Sequence, residues 1–181
     1  MPPMADRTPN TAPPCDRLQP ALLDRLTDEE PEKRTETGES RAMTRQRFRL
    51  GVLRDLAWLF NTTRLESGSS LAKMPYAQRS VINFGLPALS GRTATTLDVT
   101  ELARAIKQAI LDFEPRILPS SLEVRTLIDE AGMLDHHNVV GVEIEGQLWA
   151  HPVPIDLLVR TEIDLETGRV EIADLVPQRV A

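Results

Sequence analysis

The hydrophobic period of the chain changes once, between Asp112 and Pro119, and that change limits the possible folds more than any other feature. Upstream, apolar residues recur at helical spacing; downstream, they alternate. In "RFRLGVLRDLAWLFNT" the stripe of Phe48, Val52, Leu53, Leu56, Ala57, Leu59 and Phe60 predicts a long helix from Thr44. A short helical piece is expected around Tyr76 to Asn83, and "GLPALSG" reads as a turn-rich connector. Asp98 and Glu101 stand at capping-box spacing ahead of Leu102, Ile106, Ala109, Ile110 and Phe113, so a second long helix ends at Pro115.

Past Pro119 the pattern is that of half-buried strands. Leu122, Val124 and Ile128 alternate with charged residues, as do Val140, Val142, Ile144 and Leu148, and then Ile155, Leu157, Val159, Ile163 and Leu165. "ETGR" reads as a hairpin turn, with Gly168 available for a positive φ. Helices first and strands second give an α+β fold, with N-terminal helices packed on a C-terminal antiparallel meander as one domain over residues 44–176. Residues 1–43 are Pro-rich and aperiodic, which predicts a largely disordered tail. Within that tail, near 20–27, Leu22, Leu23 and Leu26 share one face of a short helix that is too short to stand alone in water. It is expected either to dock on a partner or to strap its own domain.

Charge is divided along the chain. Between Thr44 and Arg64 five arginines face a single acid, Asp55, whereas from Ile117 onward twelve acids face four arginines. Arg45 and Arg47 open the first long helix with the wrong sign for its dipole, so another contact is expected to hold cations there. The net charge of −6 excludes nucleic acid as a main partner, because neutralising phosphates requires a basic face. A lone Cys15 points to a reducing compartment, and no signal peptide or membrane-length apolar run is present, so the chain reads as cytoplasmic without direct membrane insertion.

The residues offer little for catalysis. His136, His137 and His151 have no metal-ligand spacing, Cys15 has no neighbour that would form a thiolate, and no phosphate loop or nucleophile elbow occurs. No cofactor and no metal are expected. Glu114 is the obvious general acid for a hydrolase, but only seven aromatic residues exist and four of them fall on apolar helix faces, leaving few to line a sugar cleft.

Five segments carry a resemblance: "ALLDRLTDEEP" (21–31), "LRDLAWLFNT" (53–62), "SVINFGLPALSG" (80–91), "FEPRI" (113–117) and "LLVRTEIDLETGRVEI" (157–172). Together, from about residue 18 to 176, they resemble the TssE family of bacterial type VI secretion baseplate proteins. That family is itself similar to a small wedge protein of contractile phage tails, historically labelled "lysozyme-like". The resemblance implies a structural protein in the cytoplasm, at a baseplate docked on the inner membrane, rather than an enzyme. It implies the wedge subunits TssF and TssG as partners, with the sheath subunits TssB and TssC, and TssK, as further ones. It also implies that Glu114, Pro115 and Arg116 engage the wedge. The competing reading is a peptidoglycan-cleaving hydrolase using Glu114.

Proline chemistry bears on that motif directly. Pro115 fixes its own φ and drives Glu114 out of helical geometry, so the two charged side chains are set in a fixed relation. A local Glu114 to Arg116 ion pair is the simpler alternative, but exposed pairs contribute only about 0 to 1 kcal/mol. The resemblance further implies that the sheet offers an edge to the sheath, with Glu143, Glu145, Glu162 and Asp164, together with Glu171, expected along it.

Overall fold

A computed structural model describes residues 18, 21–27, 31–32, 43–65, 71, 73–89, 98–127 and 139–175. Its helices are α1 (Leu22–Leu26), α2 (Arg45–Phe60), α3 (Pro75–Gln78) and α4 (Val99–Phe113), followed by strands β1 (Glu123–Leu127), β2 (Val139–Leu148), β3 (Ile155–Asp164) and β4 (Val170–Asp174). The fold is α+β, helices before sheet. The expected helical piece at 76–83 is divided into α3 and a single 3-10 turn at Val81–Asn83, with Ser80 Oγ closing α3 by donating to Ala77 O.

Both long helices start and stop for local reasons. The Thr44 hydroxyl accepts from Arg47 N–H, and Asp98 Oδ1 accepts from the N–H groups of Thr100 and Glu101, so each first turn has orphan donors satisfied. α4 buries Leu102, Ile106 and Ile110, contributing about 1.5–3 kcal/mol each before ordering costs. It ends where Glu114, held next to proline, adopts φ −120° and ψ 79°.

The sheet is an antiparallel meander in the order β1-β2-β3-β4. Val140, Val142, Ile144, Val159 and Ile163 are fully buried on its inner face, which α2 and α4 cover. The outer face is the polar half of each alternation. Gly168, at φ 74°, turns β3 into β4 as the "ETGR" pattern predicts, while Asp164 Oδ1 accepts from Glu166 and Thr167 N–H to order the turn. Gly85 is required more strictly. At φ 122°, a Cβ there would meet Thr62 O at 2.2 Å, where the strand-like pair Thr63 and Leu86 ties the connector to the end of α2.

α2 is fastened to the far edge of the sheet. Asn61 Nδ2 donates to Val170 O at 2.9 Å and Val170 N–H donates to Asn61 Oδ1 at 3.0 Å, so one amide imitates a neighbouring strand at the start of β4. At the end of β4, Arg49 Nε donates to Asp174 Oδ2 at 2.8 Å, and Arg49 Nη1 donates to Asp156 O at 2.9 Å. The basic helix is therefore attached to the acidic sheet through Arg49. Among the described residues no helix is long and apolar enough to cross a membrane.

Candidate functional site

The turn after α4 is fixed on both sides. Trp149 N–H donates to Arg116 O at 2.7 Å and Leu118 N–H donates to Gln147 O at 2.8 Å, which extends β2 across Ile117 and pins the backbone of the Glu114-Pro115-Arg116 segment. Glu114 is then turned inward and is only 4 % exposed. Arg116 folds back onto it as a fork: Nε donates to Glu114 Oε1 at 2.7 Å, Nη2 to Oε2 at 2.5 Å, and the backbone N–H of Arg116 also reaches Oε1 at 3.2 Å. The pair anticipated as an exposed local contact is present, and it is enclosed.

Asp55 of α2 completes the arrangement. Arg116 Nη2 donates to Asp55 Oδ2 at 2.5 Å, and the guanidinium carbon sits 6.0 Å from the Phe48 ring centroid. Burial disfavours the Arg116 charge, but hydrogen bonding and charge from Glu114 and then Asp55 outweigh it and raise its pKa above the ordinary arginine value. Arg116 is locked as a cation between two acids. Arg54 extends the chain of charges: its Nε donates to Asp55 Oδ1 at 2.9 Å, its Nη1 donates to Asp24 Oδ1 at 2.5 Å, and its guanidinium lies 5.1 Å from the Trp58 ring.

Beside this frame is a groove of about 600 Å³. It is lined by the apolar side chains of Leu56, Leu59, Phe84 and Phe113 together with Asp55, Glu114, Pro115 and Arg116. Ala21 and Leu23 of the N-terminal segment and Trp58 of α2 line it as well. Apolar side chains and an ordered ionic group thus share one groove.

The other expected site residues are placed as follows. Leu22 and Leu26 are 70 % and 73 % exposed, so α1 does not pack through these two leucines, while Leu23 lines the groove; Asp24 on Arg54 and the buried Leu18 attach the segment to its own domain. Glu143 and Glu145 lie on β2, and Glu162 and Asp164 on β3. These strands are paired on both sides, so the four acids belong to the outer face and not to an edge. Alternation identifies the face of a residue, whereas position in the sheet depends on strand order. Glu171, on β4, is the one expected acid on an edge strand. His136 and His137 lie outside the described residues, as does Cys15.

Sequence reasoning missed Asp55, Arg54, Asp24 and Asn61 as contacts. Asp55 did leave a signal, being the single acid in an otherwise basic helix.

The model of one protein family, baseplate wedge protein gp25, matches residues 46–153, more than half of the chain. The protein belongs to the baseplate wedge protein gp25 family. TssE belongs to the same family, and its members are structural baseplate components that meet other baseplate proteins. The matched span contains α2 from its second residue, the connector with Gly85, α4, the Glu114-Pro115-Arg116 turn and β2, so every member of the Arg116 frame lies within it. α1, β3 and β4 lie outside the span. Neither a curated protein nor a solved structure matches the chain.

Proposed function

We propose that the protein is a non-enzymatic baseplate subunit of a type VI secretion system, working in the cytoplasm at a baseplate docked on the inner membrane. The groove at Glu114, Pro115 and Arg116 receives the TssF and TssG wedge. The observation that carries this reading is the Arg116 frame: a guanidinium held rigid by two acids in a groove shared with apolar side chains, in a member of the baseplate wedge family. An ordered arginine beside apolar pockets is the usual composition of an interface hot spot. Leu22 and Leu26, exposed on α1, supply a second, smaller contact.

The sheet provides the surface for the sheath subunits TssB and TssC, and TssK is a further baseplate neighbour. β4 is fastened by Asn61 and Arg49, whereas β1 pairs with β2 alone among the described residues. An unpaired strand edge accepts a strand from another chain. β1 is therefore the favoured edge for sheath initiation, with the acids of the neighbouring β2 face setting partner choice.

A hydrolase using Glu114 is disfavoured by geometry, because both carboxylate oxygens are engaged by Arg116 in an enclosed position. Co-expression with TssF and TssG tests the proposal. A co-purifying complex that Arg116→Ala disrupts is the expected result, alongside no clearing in a cell-wall turbidity assay. Clearing abolished by Glu114→Gln would establish the hydrolase instead.

A further inference from the structure

α1 is built the wrong way round for a segment that packs on its own domain by apolar contact. Its two most exposed leucines, Leu22 and Leu26, point away, and no residue of the helix is buried. What faces the domain is Asp24, with Leu23 beside it at the groove. The Asp24 carboxylate packs closely against Gly51: a Cβ there would lie 3.3 Å from Asp24 Oδ2, so the carboxylate would have to give by a few tenths of an ångström, and 3.9 Å from Arg116 Nη1, an ordinary contact. Glycine in the middle of a helix weakens it relative to alanine, so the close approach of a carboxylate gives Gly51 a reason to be there.

The same carboxylate is electrically surplus. Arg54 and Arg116 are already matched by Asp55 and Glu114, two cations to two acids, and Asp24 adds a third acid from outside the matched family span. Removing it leaves the cluster neutral. Arg54 Nη2, meanwhile, has Asp55 Oδ1 at 2.9 Å but no aligned hydrogen bond among the described residues, so this guanidinium retains capacity for a better placed carboxylate. Leu18, buried in the core at 6 % exposure, anchors the chain just before α1. The helix itself is one turn long, without a side-chain N-cap, and depends on what it touches.

We infer that α1 is a strap latched in cis at one side of the wedge groove by Asp24, and that an acidic amphipathic segment of the wedge displaces it. The inference rests on the groove being the wedge contact. α1 itself defines the chemistry of its replacement: Leu23 lines the groove while the adjacent Asp24 takes Arg54. The incoming segment carries a carboxylate for Arg54 next to an apolar side chain for the groove. Until then Ala21 and Leu23 occupy part of the surface that the partner needs. The strap is regulatory: it holds one side of the groove in the free subunit and yields its charge contact to the wedge.

The latch is tested on the isolated full-length protein, without any partner, by the rate of trypsin cleavage after Arg25. Cleavage of a transiently opened segment reports the open population. With each rate divided by that of the same variant unfolded in urea, so that the direct effect of the neighbouring acid on trypsin cancels, Asp24→Ala is expected to raise the rate by about 1.5- to fivefold, the range for loss of a partly exposed ion pair. Raising salt to about 0.5 M should raise the wild-type rate and leave the Asp24→Ala rate unchanged, because only the former has a charge contact to screen. Gly51→Ala should raise the melting temperature through helix propensity and yet speed cleavage after Arg25. Equal normalised cleavage rates for wild type and Asp24→Ala would overturn the latch. Displacement is tested by affinity for co-expressed TssF and TssG: Asp24→Ala should bind about 1.5- to fivefold more tightly, the same latch energy being released. Weaker binding by Asp24→Ala would overturn displacement and make α1 a permanent wall of the site. Arg116→Ala is the separate control, since wild-type binding by that variant would refute the groove reading while leaving the trypsin result interpretable.

Discussion

The carboxylates around Arg116 and those on the outer face of the sheet are the same functional group under opposite conditions of solvent. Glu114 is enclosed, with both oxygens on Arg116, and Asp55 approaches the same guanidinium from another element. On the sheet, Glu145 stands opposite Glu123 and Glu162 opposite Glu171, acid facing acid across neighbouring strands. Only Glu143 has arginines on both sides, Arg125 and Arg160. The enclosed group is arranged so that no member can lose its partner cheaply, because an uncompensated charge would remain away from water. The open face tolerates repulsion that water and salt screen. Arrangement, rather than the number of charges, separates a defined contact from a solvated surface.

Arg116→Met is the harshest way to break that contrast. It leaves Glu114 enclosed without a cation, which should cost about 3–5 kcal/mol in urea-induced unfolding. Adding Glu114→Leu should recover most of that loss, since a charge-free pair of similar volume needs no compensation. A loss below about 1 kcal/mol from Arg116→Met alone would place the enclosed pair on the same footing as a surface one.

The outer face should respond with smaller changes of the opposite sign. Glu145→Lys replaces the acid facing Glu123 with a base, which should stabilise the fold by about 0.2–1 kcal/mol at low salt. The gain should fade as salt is added. A destabilisation comparable to that of Arg116→Met would show that the outer face has structural demands of its own.

The smallest effect concerns the hairpin turn. The Thr167 hydroxyl, then the backbone N–H groups of Glu166 and Thr167, hold the Asp164 carboxyl below its ordinary pKa. A depressed carboxylate binds protons less readily in the folded than in the unfolded chain, so its contribution is present above the unfolded value near 3.9 and is lost as pH falls through the folded one. The stability difference between wild type and Asp164→Asn should therefore shrink on acidification below about pH 4. A difference that grows instead would reverse the assigned direction.

The period of the chain made α2, α4 and the three longest alternations legible, because burial on one face imposes spacing on any sequence that folds this way. The Glu114 and Arg116 pair was legible too, its members being two residues apart around a proline. Asp55 was harder, since it reaches Arg116 across 61 residues and only its isolation in a basic helix marked it. Edge assignment was not available from alternation, which is identical for inner and outer strands; in a meander the second and third strands become the inner ones. α1 inverted the usual argument. Spacing groups Leu22, Leu23 and Leu26 on one face, but Asp24 reaches Arg54 beside Gly51 while Leu22 and Leu26 stay exposed.

The central claim is that the broken helix at "DFEPRILP" orders a contact for the wedge and is more than a helix stop. The variant that separates the two is Glu114→Leu combined with Arg116→Met, which removes the ionic frame while leaving the fold intact. Its melting temperature and circular dichroism should remain close to wild type, while its affinity for co-expressed TssF and TssG, measured by titration of the purified subunits, should fall by roughly thirty-fold or more, as for loss of an arginine hot spot. A double variant that is folded and binds TssF and TssG as tightly as wild type would contradict the account.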